Sequence, residues 1–253
     1  MSGGAALRVP EARREPDEGP TGADGVVSAP PVSNGLVSME GVSRHFGRGT
    51  SQRVVLRDVD LAVASGTAVC ITGGNGAGKT TLLRLATGIL APNHGRVTID
   101  GISTDERWRE VHRRIGFLSA GDRGLYARLS VRGHLVFWTG LAFMPRRMRK
   151  QAVHDALERF GLSDLATRRA DRLSLGQRQR LRLALTLVHR PKVLLLDEPR
   201  TSLDADGLEI LCASVREVLE RGGAVVWCCP VGEEQPVSFD RTLVLADGQL
   251  SPR

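Results

Sequence analysis

The sequence predicts an α/β fold with a parallel sheet, and three observations predict it. Apolar runs of strand length alternate with helix-period segments along the chain. One run opens into a glycine-rich loop, Gly73-Gly74-Asn75-Gly76-Ala77-Gly78, followed at once by a helical pattern from Lys79. Another run, Val193-Leu194-Leu195-Leu196, ends in the adjacent carboxylates Asp197 and Glu198. A chain of 253 residues with 41% hydrophobic content can bury one good core, so one domain is expected.

Taken in order, β-rich segments at 36–39, 54–61 and 67–72 are bounded by polar or glycine-containing turns and read as strands. A helix over 79–86 is ended by Gly88 and Pro92, and 96–99 reads as a strand turned by Asp100-Gly101. From about 121 to 172 the apolar residues fall at helical spacing, as in Val153, Ala156, Leu157 and Phe160, which predicts a helical subdomain. Strand pattern returns at 192–196. A helix at 206–221, a strand at 224–229 and a strand at 242–246 before the Asp247-Gly248 turn follow.

Residues 1–34 mix Gly, Pro, Ser and charge without a lasting apolar period, which predicts a disordered tail ahead of a domain at 35–253. Arg8, Glu11, Arg13, Arg14 and Glu15 interrupt any secretory apolar core, so the chain is expected in the cytoplasm. The longest apolar candidate, 135–144, is too short to span a membrane and is closed by Pro145. Four cysteines, Cys70, Cys212, Cys228 and Cys229, show neither disulfide nor metal spacing and read as reduced thiols. The net charge of +7 is almost wholly arginine, with lysine only at positions 79, 150 and 192. These arginines lie beside Asp and Glu without interleaved aromatics, so solvated helix faces are expected and no nucleic-acid partner.

Gly73 to Thr80 match G-x-x-x-x-G-K-[ST] after a strand and before a helix, the context such a loop requires. Glycine lets successive N–H groups curl toward phosphate oxygens, and the helix from Lys79 adds its positive end. Lys79 would neutralise phosphates, Thr80 would hold Mg²⁺, and Thr81 joins the binding set. Asp197 is the matching metal-side residue. Glu198 is placed to orient the attacking water or take its proton.

Leu173-Ser174-Leu175-Gly176-Gln177-Arg178-Gln179-Arg180 resembles the signature that separates ATP-binding-cassette (ABC) proteins from other P-loop ATPases. The resemblance covers about 36–250, with Thr201-Ser202-Leu203-Asp204 similar to the loop after the acidic strand. It implies a P-loop NTPase core, an ABC-type mixed sheet flanked by helices, with an antiparallel β subdomain and a helical subdomain. Phe46 stands where the family has its adenine-stacking aromatic; the alternative is plain core packing. Ser174 reads as a helix cap whose free N–H groups can bind phosphate. The resemblance implies that Ser174, Gly176 and Gln177 serve the ATP of a second cassette. Leu175 replaces a glycine of the usual signature, and binding is expected to survive.

Two departures stand out. The family's histidine after the strand at 224–229 is replaced by Pro230, which has no donor. The family's glutamine after Ile115-Gly116-Phe117-Leu118 is replaced by Ala120 or Gly121, with Asp122 the nearest possible oxygen ligand. The expected protein is an ATP-binding subunit of an ABC transporter, an ATPase weak at its own site. It would use ATP and Mg²⁺, pair as a homodimer or heterodimer, and sit under a separate membrane permease at the inner face of the membrane. The segment after Gly116 resembles exporter-type subunits, which favours export over import, while a soluble non-transport or nucleotide-sensing cassette is the alternative.

Overall fold

The computed structural model describes residues 35–121, 124–201 and 203–253. The expected tail at 1–34, Asp122 and Ser202 lie outside them. Two sheets organise the chain. The first is antiparallel, built from β1 (Val37–Phe46), β2 (Arg53–Val63), β4 (His94–Ile99) and β5 (Ile102–Ser103) in the order β2-β1-β4-β5. The second has six strands in the order β10-β9-β3-β8-β7-β6. These are β3 (Ala68–Thr72), β6 (Ile115–Leu118), β7 (Val193–Asp197), β8 (Ala224–Cys229), β9 (Arg241–Ala246) and β10 (Gln249–Pro252). All pair in parallel except β10, which turns back on β9 through Asp247-Gly248.

The apolar strands read as continuous runs because both faces of the parallel sheet are covered. Side chains alternate along each strand. Val69, Ile71, Val193, Leu195, Val226 and Cys228 face one core, shared with the antiparallel sheet and α1 (Lys79–Ala86). Cys70, Leu194, Leu196, Trp227 and Cys229 face the other, shared with α3 (Val131–Leu141), α4 (Arg146–Arg159), α5 (Leu175–Leu187) and α6 (Ala205–Glu220). The α/β fold with an antiparallel β layer is as the sequence predicts.

Several element bounds differ from the sequence expectation. The first strand runs on to Phe46 instead of stopping at 39, because its bulged pairing with β2 continues past Val42. A short helix, α2 (Trp108–Arg114), was not anticipated: Val111 is its one buried residue, so it carries almost no apolar period. The arginines are not all on solvated faces. Arg182 of α5 is 7% exposed. Cys70, Cys228 and Cys229 are buried free thiols, with Cys70 Sγ 3.4 Å from Cys229 Sγ. No helix among the described residues is long and apolar enough to cross a membrane.

Candidate functional site

Strand β3 lies inside the parallel sheet and ends at Thr72, where the chain leaves as the loop Gly73 to Gly78. Two backbone features require glycine there. At Gly73 a Cβ would stand 2.6 Å from the Leu245 carbonyl oxygen, and Gly78, the N-cap of α1, has φ 109°. Gly74, Asn75 and Gly76 are exposed, and Ala77 closes the turn by donating its N–H to Gly74 O at 3.2 Å. Lys79 folds back over the loop. Its Nζ donates to Gly73 O at 2.7 Å and Gly74 O at 3.2 Å, and lies 3.5 Å from Glu198 Oε1. Thr81 follows half-buried in the first turn of α1.

Thr80 and Asp197 meet although they are 117 residues apart: Thr80 Oγ1 donates to Asp197 Oδ2 at 2.7 Å. Asp197 is 1% exposed at the end of β7. Burial pushes its carboxyl above the ordinary range, against the pull of the Thr80 hydrogen bond. Its Oδ1 is buried without a hydrogen-bond partner among the described residues. An orphaned carboxylate oxygen beside a hydroxyl is a hard oxygen pair, so Thr80 and Asp197 fit Mg²⁺. Glu198 turns out of the strand with φ 48°, a left-handed conformation costly for a residue with a Cβ. Its N–H donates to Cys228 O at 2.9 Å, which ties the turn to β8. The carboxylate is thereby held beside Lys79 and half-open to solvent.

Pro230 follows β8 directly, two residues past the carbonyl that holds Glu198. No side-chain donor stands at that position. The loop after β6 runs Ser119-Ala120-Gly121 and carries no glutamine of its own, though Gln179 of α5 donates from Nε2 to Gly121 O at 3.4 Å. It is held instead from α5: Arg182 donates to Ser119 O, to Ser119 Oγ at 3.1 Å and to Gly121 O, and to Gln179 Oε1 at 2.7 Å. Arg182 and Gln179 escaped sequence reasoning. The available signal was a lone charge inside the apolar run from Leu181 to Leu187.

Ser174 caps α5 in a reciprocal box, accepting from Gln177 N at 3.2 Å while Gln177 Oε1 accepts from Ser174 N at 3.0 Å. Gly176 follows in the first turn, where a Cβ would meet Asp204 Oδ2 at 2.8 Å. Asp204 is itself the cap of α6, accepting from Gly207 N at 2.8 Å. Among the described residues no hydrogen bond or ion pair joins Ser174, Gly176 or Gln177 to the phosphate loop of the same chain. Phe46 is 42% exposed, with the Arg44 guanidinium 4.6 Å from its ring centroid, so core packing does not explain it.

The ABC transporter family model matches residues 56–201. The chain belongs to the ABC transporter family. Phe46 and Pro230 fall outside the matched span of this ABC cassette. It is 32% identical over 215 residues to the ABC transporter ATP-binding protein NatA of Bacillus subtilis, covering 85% of this chain and 87% of that protein. It is 34% identical over 228 residues to the energy-coupling factor transporter ATP-binding protein EcfA1 of Symbiobacterium thermophilum, covering 87% and 79%. Among solved structures it is similar to the ATP-binding cassette MJ0796, a dimer in a post-hydrolysis state bound to ADP and Pi. The TM-score is 0.75 at 25% identity, over 85% of this chain and 98% of that one. As an ABC cassette the chain is an ATP-binding subunit, an ATPase whose cofactors are ATP and Mg²⁺.

Proposed function

We propose that this cassette drives a separate membrane-spanning permease by closing with a second cassette around ATP, and that its own site turns ATP over slowly. One observation carries the slow turnover: Glu198 is held beside Lys79 and Asp197, while the neighbouring strand end offers Pro230 and no donor. Magnesium-bound ATP supplies the reactive phosphate. The chain's own residues do the rest. The loop amides and Lys79 bind the phosphates, Thr80 and Asp197 hold the metal side, and Glu198 orients water and takes its proton. Phe46 presents an exposed ring to the base. A missing preorganised contact at the attacking water costs on the order of 10²–10³ in rate.

Pairing is supported by the helix start at Ser174, which among the described residues has no hydrogen bond or ion pair to the phosphate loop, and by the dimeric state of MJ0796. The relatives' names support a permease partner, since NatA and EcfA1 are ATP-binding proteins of transporters. That partner would bring the cassette to the inner face of the membrane. For direction we propose export, on the resemblance of the segment after Gly116 to exporter-type subunits; relatives such as the phosphonates import protein PhnC of Thiobacillus denitrificans support the opposite reading.

The deciding experiment measures oligomeric state with and without Mg-ATP, together with phosphate release, for the wild type and Glu198→Gln. The expected result is ATP-dependent pairing in both proteins, slow release by the wild type and none by the variant. Fast wild-type release would overturn the reading of Pro230.

A further inference from the structure

Arg53 opens β2 and stands directly opposite Phe46 in the β1–β2 register. Opposed residues of an antiparallel pair carry their side chains on one face, so the two share a face at the rim of the nucleotide site. Arg53 reaches from there toward the phosphate loop. Its Nη2 lies 4.0 Å from where a Cβ on Gly76 would stand. With Gly74, Asn75 and Gly76 it lines a cavity of about 470 Å³, closed on the far side by the Asp247-Gly248 turn.

No hydrogen bond or ion pair engages the Arg53 guanidinium among the described residues, including any to Asp247 across the cavity. An unpaired guanidinium beside backbone amides curled for an anion adds to the same positive field. Lys79 holds the other side of the loop, already bonded to Gly73 O and Gly74 O. Along a nucleotide laid from Phe46 to Lys79, Arg53 meets the stretch between base and terminal phosphates.

The geometry points to Arg53 as a nucleotide-binding residue that contacts the α-phosphate of the ATP whose base stacks on Phe46. This rests on the ATP reading of the loop and on Phe46 as the base platform. A planar fork of donors matches phosphate oxygens in pairs, so the contact adds orientation as well as charge.

The test is ATP affinity measured by calorimetry on the full chain, at low and high ionic strength, for the wild type, Arg53→Gln, Arg53→Lys and Lys79→Ala. Arg53→Gln is expected to raise Kd for ATP about tenfold at low salt, with the difference shrinking at high salt as the phosphate charge is screened. Arg53→Lys is expected to recover part of that loss, since it keeps the charge and loses the fork. Unchanged affinity in Arg53→Gln would overturn the proposal. So would an equal loss at both ionic strengths, which assigns the side chain to ribose or base. Lys79→Ala separates the two readings: if it binds ATP as the wild type does, the phosphate-loop assignment fails, whatever Arg53 does.

Discussion

Replacing Arg182 by methionine removes a buried cation that holds the loop after β6 against α5. The guanidinium serves Ser119 O, Ser119 Oγ, Gly121 O and Gln179 Oε1 from a side chain 7% exposed. Hydrogen bonds from a charged donor contribute about 1.5–3 kcal/mol each before the guanidinium's desolvation, several kcal/mol, is set against them. Methionine keeps the stem and leaves the half-buried Ser119 carbonyl without this donor, at about 1–3 kcal/mol unless water enters, while the exposed Gly121 O keeps Gln179 Nε2 at 3.4 Å. A small cavity lined by Phe117, Trp138 and Arg182 gives water partial access. The net expectation is a loss of about 3 kcal/mol, which for a chain of this size is a fall in Tm of about 6–12 °C. Thermal unfolding followed by tryptophan fluorescence reads it, and Trp138 at the same cavity reports the loop directly. Arg182→Lys should fall between the two. A shift under about 2 °C for Arg182→Met would refute the reasoning, because the clamp would then be no stronger than the water that replaces it.

Two further outcomes follow from other parts of the structure. Gly78→Ala places a Cβ 3.1 Å from Val55 Cγ1 at φ 109°; it should destabilise the chain by about 1–2 kcal/mol or more and weaken ATP binding over tenfold in calorimetry, since the loop can no longer curl. His134 is fully buried, its Nε2 accepting from Tyr126 N at 2.9 Å, and burial lowers its pKa. Below about pH 6.5 the unfolded chain takes a proton that the folded chain refuses, so stability falls as pH drops from there to the lowered folded pKa. The fall in Tm between pH 7.5 and 5.5 should shrink in His134→Gln; an identical fall would show that His134 titrates freely.

The parallel sheet was legible because β3, β7 and β8 are buried on both faces, which turns their sequences into unbroken apolar runs. Thr80 and Asp197 were legible as motif members, though only the fold shows the 2.7 Å bond between them. Three features were not legible, each for a physical reason. Helix α2 buries one residue, so its sequence carries almost no apolar period. The left-handed turn at Glu198 is imposed by Cys228 O on a neighbouring strand, a partner no local pattern announces. Arg182 looks like a solvent-facing charge until the β6 loop is placed over it. Phe46 stood between two readings in the sequence, and its exposure argues against the core-packing one.

The position of β3 between β8 and β9 has a consequence for how nucleotide comes and goes. Cys70, Ile71 and Thr72 are laddered to strands on both sides, so their amides can trade hydrogen for deuterium only when the sheet itself comes apart. The phosphate loop hangs from a strand that is paired on both sides. Gly74, Asn75 and Gly76 lie open on the outer side of that loop, so nucleotide can reach and leave them without parting the strands beneath.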